Sequence, residues 1–122
     1  MPAPFLSSWF AILDSDTPDR ILDLLADDFR FAIVFSEGEG DAQDFCGGRP
    51  EMEGYLAQRE RGALAHSEIA SSTVESDELY LGQVRRAGGF EASFVAAARL
   101  TEDGHIRRLL ISRSPSVDFG NR

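Results

Sequence analysis

Apolar residues along the start of the chain recur with the period of a helix. Phe5, Leu6, Trp9, Phe10, Ile12 and Leu13 follow i, i+4, i+7 spacing, which lays one buried stripe along a helix from Pro4 to Asp14. Asp16 or Thr17 caps a second helix, and Pro18 suits its first turn because it has no amide hydrogen to leave unpaired. Ile21, Leu22, Leu24 and Leu25 form the core face of this helix, which ends at Asp27-Asp28. The period then changes. Phe29, Phe31, Ile33 and Phe35 alternate onto one face of a strand, opposite Arg30, Ala32 and Val34. Ser36 to Gly48, with four glycines and four acids, reads as a loop or a loose hairpin. A third helix starts near Pro50, with Glu51 and Glu53 at the positive end of its dipole. Met52, Tyr55, Leu56 and Arg59 share a face of it, and Gly62 is its stop.

Strands follow. His66 to Glu75 and Leu79 to Arg86 pair about a Ser76-Asp77 turn. Ala87-Gly88-Gly89 leads into Phe90 to Leu100, and Glu102-Asp103-Gly104 into His105 to Ser112. Turns this short join antiparallel neighbours, so the segments form a meander. Phe90, Ala92, Phe94, Ala96, Ala98 and Leu100 make the buried face of their strand, and the small residues leave room for a ligand or for a closely packed helix. Pro115 onward reads as a frayed tail. The pattern predicts one α+β domain over 1–122, with its core at about 4–115 and its tail at 116–122. Three N-terminal helices pack on a curved, mainly antiparallel sheet around an apolar pocket.

Charge narrows the partners. Residues 1–53 carry twelve acids and three arginines, and residues 54–122 carry nine of each, so the whole deficit of −9 lies in the first part. Such a surface repels phosphate backbones and disfavours nucleic acid. No apolar run approaches the roughly 20 residues of a membrane span. The N-terminus lacks the basic segment and cleavage site of a signal peptide. Cys46, the single cysteine, has no partner for a disulfide, which suits a reducing cytoplasm.

The glycine-then-helix run Gly47-Gly48-Arg49-Pro50-Glu51-Met52-Glu53-Gly54-Tyr55-Leu56, His66 at the opening of the next strand, and Asp103-Gly104-His105-Ile106-Arg107-Arg108 at the last turn come in a telling order. Together they resemble the nuclear-transport-factor-2-like superfamily, and particularly its SnoaL-like, polyketide-cyclase-like branch. The resemblance covers about residues 4–115 and implies a cone-shaped, cystatin-like fold with a pocket at one end. It implies a homodimer as one arrangement of the sheet surface. Members include ketosteroid isomerases, polyketide cyclases, dehydratases and inert binding domains, so the fold alone names no reaction. The ketosteroid-isomerase base aligns with Ile33, and the polyketide-cyclase acid falls among Leu109-Leu110-Ile111. Neither position can take a proton.

His66 is the candidate general acid or base, because its proton exchanges near neutral pH. Glu68 shares its strand face about 7 Å along the backbone and is the candidate orienting group. The plainer alternative is a strand-end histidine bonded to a loop, with Glu68 in water. Arg59 either points into the pocket to anchor an oxyanion or lays its stem on the core and its head in solvent. Tyr55 and Trp9 each offer an aromatic wall with one donor; core packing is the first reading for Trp9, and Tyr55 stays open. Phe31 and Phe94 complete the candidate lining. His66 and His105 have no metal-ligand spacing, and the glycine clusters follow no strand–turn–helix cradle, so neither metal nor nucleotide cofactor is expected. The expected partner is a small apolar molecule, held or transformed by cofactor-free isomerisation, cyclisation or dehydration. The alternative is a carrier or homodimerisation module without activity.

Overall fold

A computed structural model describes residues 2–34, 45–59 and 64–120. The first helix, α1 (Pro4–Leu13), leads into a 3₁₀ helix (Pro18–Leu24), then strands β1 (Leu25–Val34) and β2 (Phe45–Gly47). Helix α2 (Arg49–Gln58) follows, and the chain closes with β3 (Leu64–Val74), β4 (Asp77–Arg86), β5 (Gly89–Leu100) and β6 (Ile106–Ser114). The architecture is α+β: three helical segments on a six-stranded sheet of order β2-β1-β6-β5-β4-β3.

Two expectations need correction. The helices are not all N-terminal to the sheet, because β1 and β2 come before α2. The second helix is a 3₁₀ segment that stops at Leu24, so Leu25 to Asp28 belong to β1 and not to the helix. The sheet is mainly antiparallel, as expected, and the parallel pair among the described strands joins β1 to β6, with Phe31 beside Leu109 and Ile33 beside Ile111. The loose hairpin is real in its described half: β2 returns antiparallel on β1, with Gly47 opposite Phe31. The end of the predicted first strand at Phe35, and Gly62, lie outside the described residues.

One face of the sheet meets the helices, and the alternation along each strand sets it. Tyr80, Val84, Phe94, Ala96, Ala98, Leu109 and Ile111 are buried with Leu6, Trp9, Phe10, Leu13, Met52 and Leu56 of the helices. Burying each large side chain of this kind stabilises the fold by about 1.5–3 kcal/mol. Polar tethers then position α1. Glu78 on β4, only 1% exposed, accepts the amide hydrogens of Phe5 at 3.0 Å and Leu6 at 2.7 Å. Its carboxylate thus satisfies two of the unpaired donors at the helix N-terminus and sits at the positive end of the dipole. The start of α2 is closed by Gly48, whose amide donates to Glu51 at 2.7 Å. Gly47 before it has a φ of +140°, and a Cβ there would run into the Glu51 side chain.

The C-terminal segment is not frayed as far as Gly120. It folds back over the outer face of the sheet, where the Phe119 amide donates to Ser93 Oγ at 3.0 Å and Gly120 packs on the Gln83 side chain.

Candidate functional site

The site forms where the C-terminus of α1 meets the start of β3. Asp14, the C-cap of α1, lies one turn beyond Phe10 and continues its face across the helix end. One carboxylate oxygen accepts the His66 backbone amide at 2.6 Å, and the other is 2.7 Å from His66 Nδ1. A carboxylate only accepts, so Nδ1 carries a proton, and in the neutral imidazole Nε2 then presents its lone pair. Nε2 has no hydrogen-bond partner among the described residues. The ring stacks on Phe10 with centroids 5.0 Å apart and meets Phe94 edge-on at 5.5 Å. His66 is therefore a buried imidazole, its side chain 8% exposed, held by one carboxylate and walled by two phenyl rings.

Arg59 ends at the same carboxylate. It is the C-cap of α2 and lies just past the helix rather than on its face. Its side chain is buried; one terminal nitrogen donates to the Leu13 carbonyl at 3.1 Å and the other is 3.8 Å from Asp14. Arg59 also places its charge beside the Tyr55 hydroxyl. Burial raises the Tyr55 pKa above the ordinary tyrosine value, while the Arg59 charge and the Arg113 charge pull the other way. Tyr55 itself leans edge-on against Phe45 at 5.0 Å. Arg113 comes from β6, opposite Phe94 in register, and pairs with Glu91 at 2.9 Å. Beside His66, Tyr80 stacks on Phe94 at 5.7 Å, and burial, then the charges of Glu68 and Asp14, push its hydroxyl up to about 12.

Of the residues expected from the sequence, His66, Arg59, Tyr55 and Phe94 come together here. Glu68 does not orient the imidazole. Its two oxygens accept the hydroxyls of Ser7 at 3.2 Å and Ser71 at 2.9 Å, which tie α1 to the sheet edge. The acid that reaches the ring comes from the helix above, a shorter path than two residues along a strand. Phe31 is core: it stacks on Phe29 at 5.7 Å, on a strand separated from β3 by β6, β5 and β4. Trp9 is buried in α1 a little over one turn before Asp14. Asp14, Arg113 and Glu91 were not foreseen. For Asp14 a signal existed, since it stands at i+4 from Phe10 and so extends the buried stripe with an acid.

Among the described residues no group of three or more histidine, cysteine, aspartate or glutamate side chains is placed to hold a metal ion. No described helix is long and apolar enough to cross a membrane.

The arrangement matches known folds. A SnoaL-like protein of proposed isomerase activity from Agrobacterium tumefaciens superposes with a TM-score of 0.69 at 10% identity, covering 91% of this chain and 95% of that one. A proposed polyketide cyclase from Sinorhizobium meliloti gives 0.64 at 15% identity, over 89% and 94%. A protein with a cystatin-like fold from Silicibacter pomeroyi gives 0.66 at 18%, over 93% and 75%. The chain thus shares the nuclear-transport-factor-2-like fold with these proteins. Neither a family model nor a curated protein matches its sequence.

Proposed function

We propose that this protein binds a small, largely apolar molecule with an enolisable carbonyl or a phenol, and moves a proton on it without a cofactor. The observation that carries the reading is the double grip of Asp14 on His66, which fixes the ring and leaves Nε2 as a base in an aromatic wall. In the forward step Nε2 takes a proton from the carbon beside the carbonyl, the C–H electron pair becomes a carbon–carbon double bond, and the carbonyl π pair moves onto oxygen. Tyr55, with the Arg59 charge beside it, donates to that oxygen as its charge grows. Return of the proton to a different carbon completes an isomerisation; attack of the enolate carbon on a second carbonyl completes a cyclisation. The isomerase and cyclase assignments of two fold neighbours support this class of chemistry.

Thermal-shift titration against a panel of bicyclic ketones and phenols tests it. The parent should gain several degrees with at least one member, and His66→Gln, compared with its own unliganded baseline, should gain less than half as much. Equal gains for the two proteins would end the assignment of His66.

A second reading is favoured by the outer face of the sheet. Leu79, Val95 and Leu110 are each about half exposed along an apolar groove of about 600 Å³. In that reading the face pairs with a second copy of the chain, and the inner face holds a ligand or is simply packed.

A further inference from the structure

Side chains on the outer face of the sheet fall into rows across the strands, because paired residues stand abreast and alternate residues share a face. One row is Arg30 of β1, Arg108 of β6, Arg99 of β5 and Asp77 of β4. Like charges directly opposite one another cost stability, so three arginines abreast call for anions. Asp77 answers Arg99 with two bonds of 2.8 Å. Arg108 donates to two backbone carbonyls, those of Asp28 and Arg107, each at 2.8 Å. Arg30 is exposed and makes no hydrogen bond or ion pair with the described residues. Two neighbouring positive charges thus lack a carboxylate, on a chain whose net charge is −9.

The next two rows are largely apolar. Ala32, Leu110, Ala97 and Leu79 stand beside the arginine row, and Val34, Val95 and Leu81 lie in the row beyond. Two grooves of about 410 and 600 Å³ run over this floor and share Leu79, Ala97 and Leu110, so they form one trough. Arg30 and Arg108 line its β1–β6 end. The row on the far side, Ser93 and Gln83, carries the C-terminal segment as a wall over β5 and β4. We propose that this trough is a second binding site, and that its occupant is a long-chain carboxylate. The head lies between Arg30 and Arg108, whose planar forks match a carboxylate, and the tail crosses β6, β5 and β4 toward Ala70. Leu79, Val95 and Leu110, each about half exposed, are the surface that the tail covers. From β1 to β3 is four strand spacings, about 19 Å, roughly the length of an extended fourteen-carbon acid.

Other occupants fit the charge less well. A second copy brings its own arginines, and the one acid in these three rows, Asp77, is already bonded to Arg99. A bilayer needs an open flat face, which the C-terminal wall interrupts, and an anionic bilayer is repelled by the net charge. The site lies on the opposite face of the sheet from His66 and goes beyond the reading of that residue.

Titration calorimetry and methyl NMR with tetradecanoate, kept below its micelle concentration, test the proposal. Tetradecyltrimethylammonium, with the same chain and the opposite charge, is the control. The parent should bind one tetradecanoate per chain, at least tenfold more tightly than the control, and the methyl signals of Leu79, Val95 and Leu110 should shift. Arg30→Gln removes an exposed side chain with no partner to lose and should weaken tetradecanoate about fivefold, as should raising the salt to about 1 M with the parent. No binding, equal binding of the two amphiphiles, or an unchanged affinity in Arg30→Gln would refute the site. Shifts confined to the methyls of Leu6, Leu13 and Leu56 would put the ligand in the interior and refute it too. A parent that is dimeric by light scattering, and stays dimeric at saturating tetradecanoate, would give the face to a second copy and overturn the proposal.

Discussion

Asp14 works on His66 through both oxygens, and that division of labour makes a sharp prediction for Asp14→Asn. The His66 backbone amide needs an acceptor and keeps the asparagine oxygen, so the side-chain NH₂ must face Nδ1. Nδ1 then accepts, the ring proton moves to Nε2, and the base becomes a donor. The ¹⁵N shifts of the imidazole should exchange their protonated and bare signals while the fold persists; unchanged shifts would show that Asp14 does not set the tautomer. Glu91 gives a second test. The Arg86 hydrogen bond, opposed by burial and aided by Arg113, holds its carboxyl below the ordinary glutamate range. A depressed value stabilises the fold above the unfolded pKa, and this contribution disappears as pH falls through the lowered one. Parent protein should therefore lose stability on acidification below about pH 4.5 more steeply than Glu91→Gln, as read by thermal melts across pH. At this scale the sequence exposed His66, Arg59 and Tyr55 through residue type and position. It hid Asp14, whose partner is fifty-two residues away, and made Glu68 look like the orienting group through mere proximity in the strand.

Among elements, α1 depends on a group that belongs to β4. Glu78 lies on the same strand face as Tyr80 and Val84, so alternation alone carries this acid into the interior, where only the bare amides of the helix start can receive it. Glu78→Ala leaves those donors buried and unpaired and should cost about 2–3 kcal/mol, measured by urea denaturation. A loss near zero would mean that water serves the helix start instead. The strands and both α-helices were legible because their periods differ and their turns carry glycine. The 3₁₀ segment was not, since Ile21, Leu22 and Leu24 fit an α-helical face as well and propensity does not separate the two over so short a run. The parallel pairing of β1 with β6 was also hidden: it joins segments at opposite ends of the chain, and no local pattern encodes it.

For the molecule as a whole, two buried isoleucines, Ile33 and Ile111, sit side by side on the inner face where related catalytic branches are expected to place acids. In the proposed reading, proton transfer falls instead to the α1–β3 edge. The outer face makes its own prediction. If it covers a second copy, multi-angle light scattering of the parent should give twice the mass of the 13.4 kDa chain, and Leu110→Glu should return it to a monomer without unfolding. A parent that is monomeric throughout would exclude the dimer. The central claim, that His66 held by Asp14 handles a proton on an apolar ligand, is tested most directly by following 2-tetralone in D₂O by proton NMR. The parent should speed loss of the protons beside the carbonyl above the buffer rate, and His66→Gln should bring the rate back to buffer. Identical exchange with parent, variant and buffer would contradict the account.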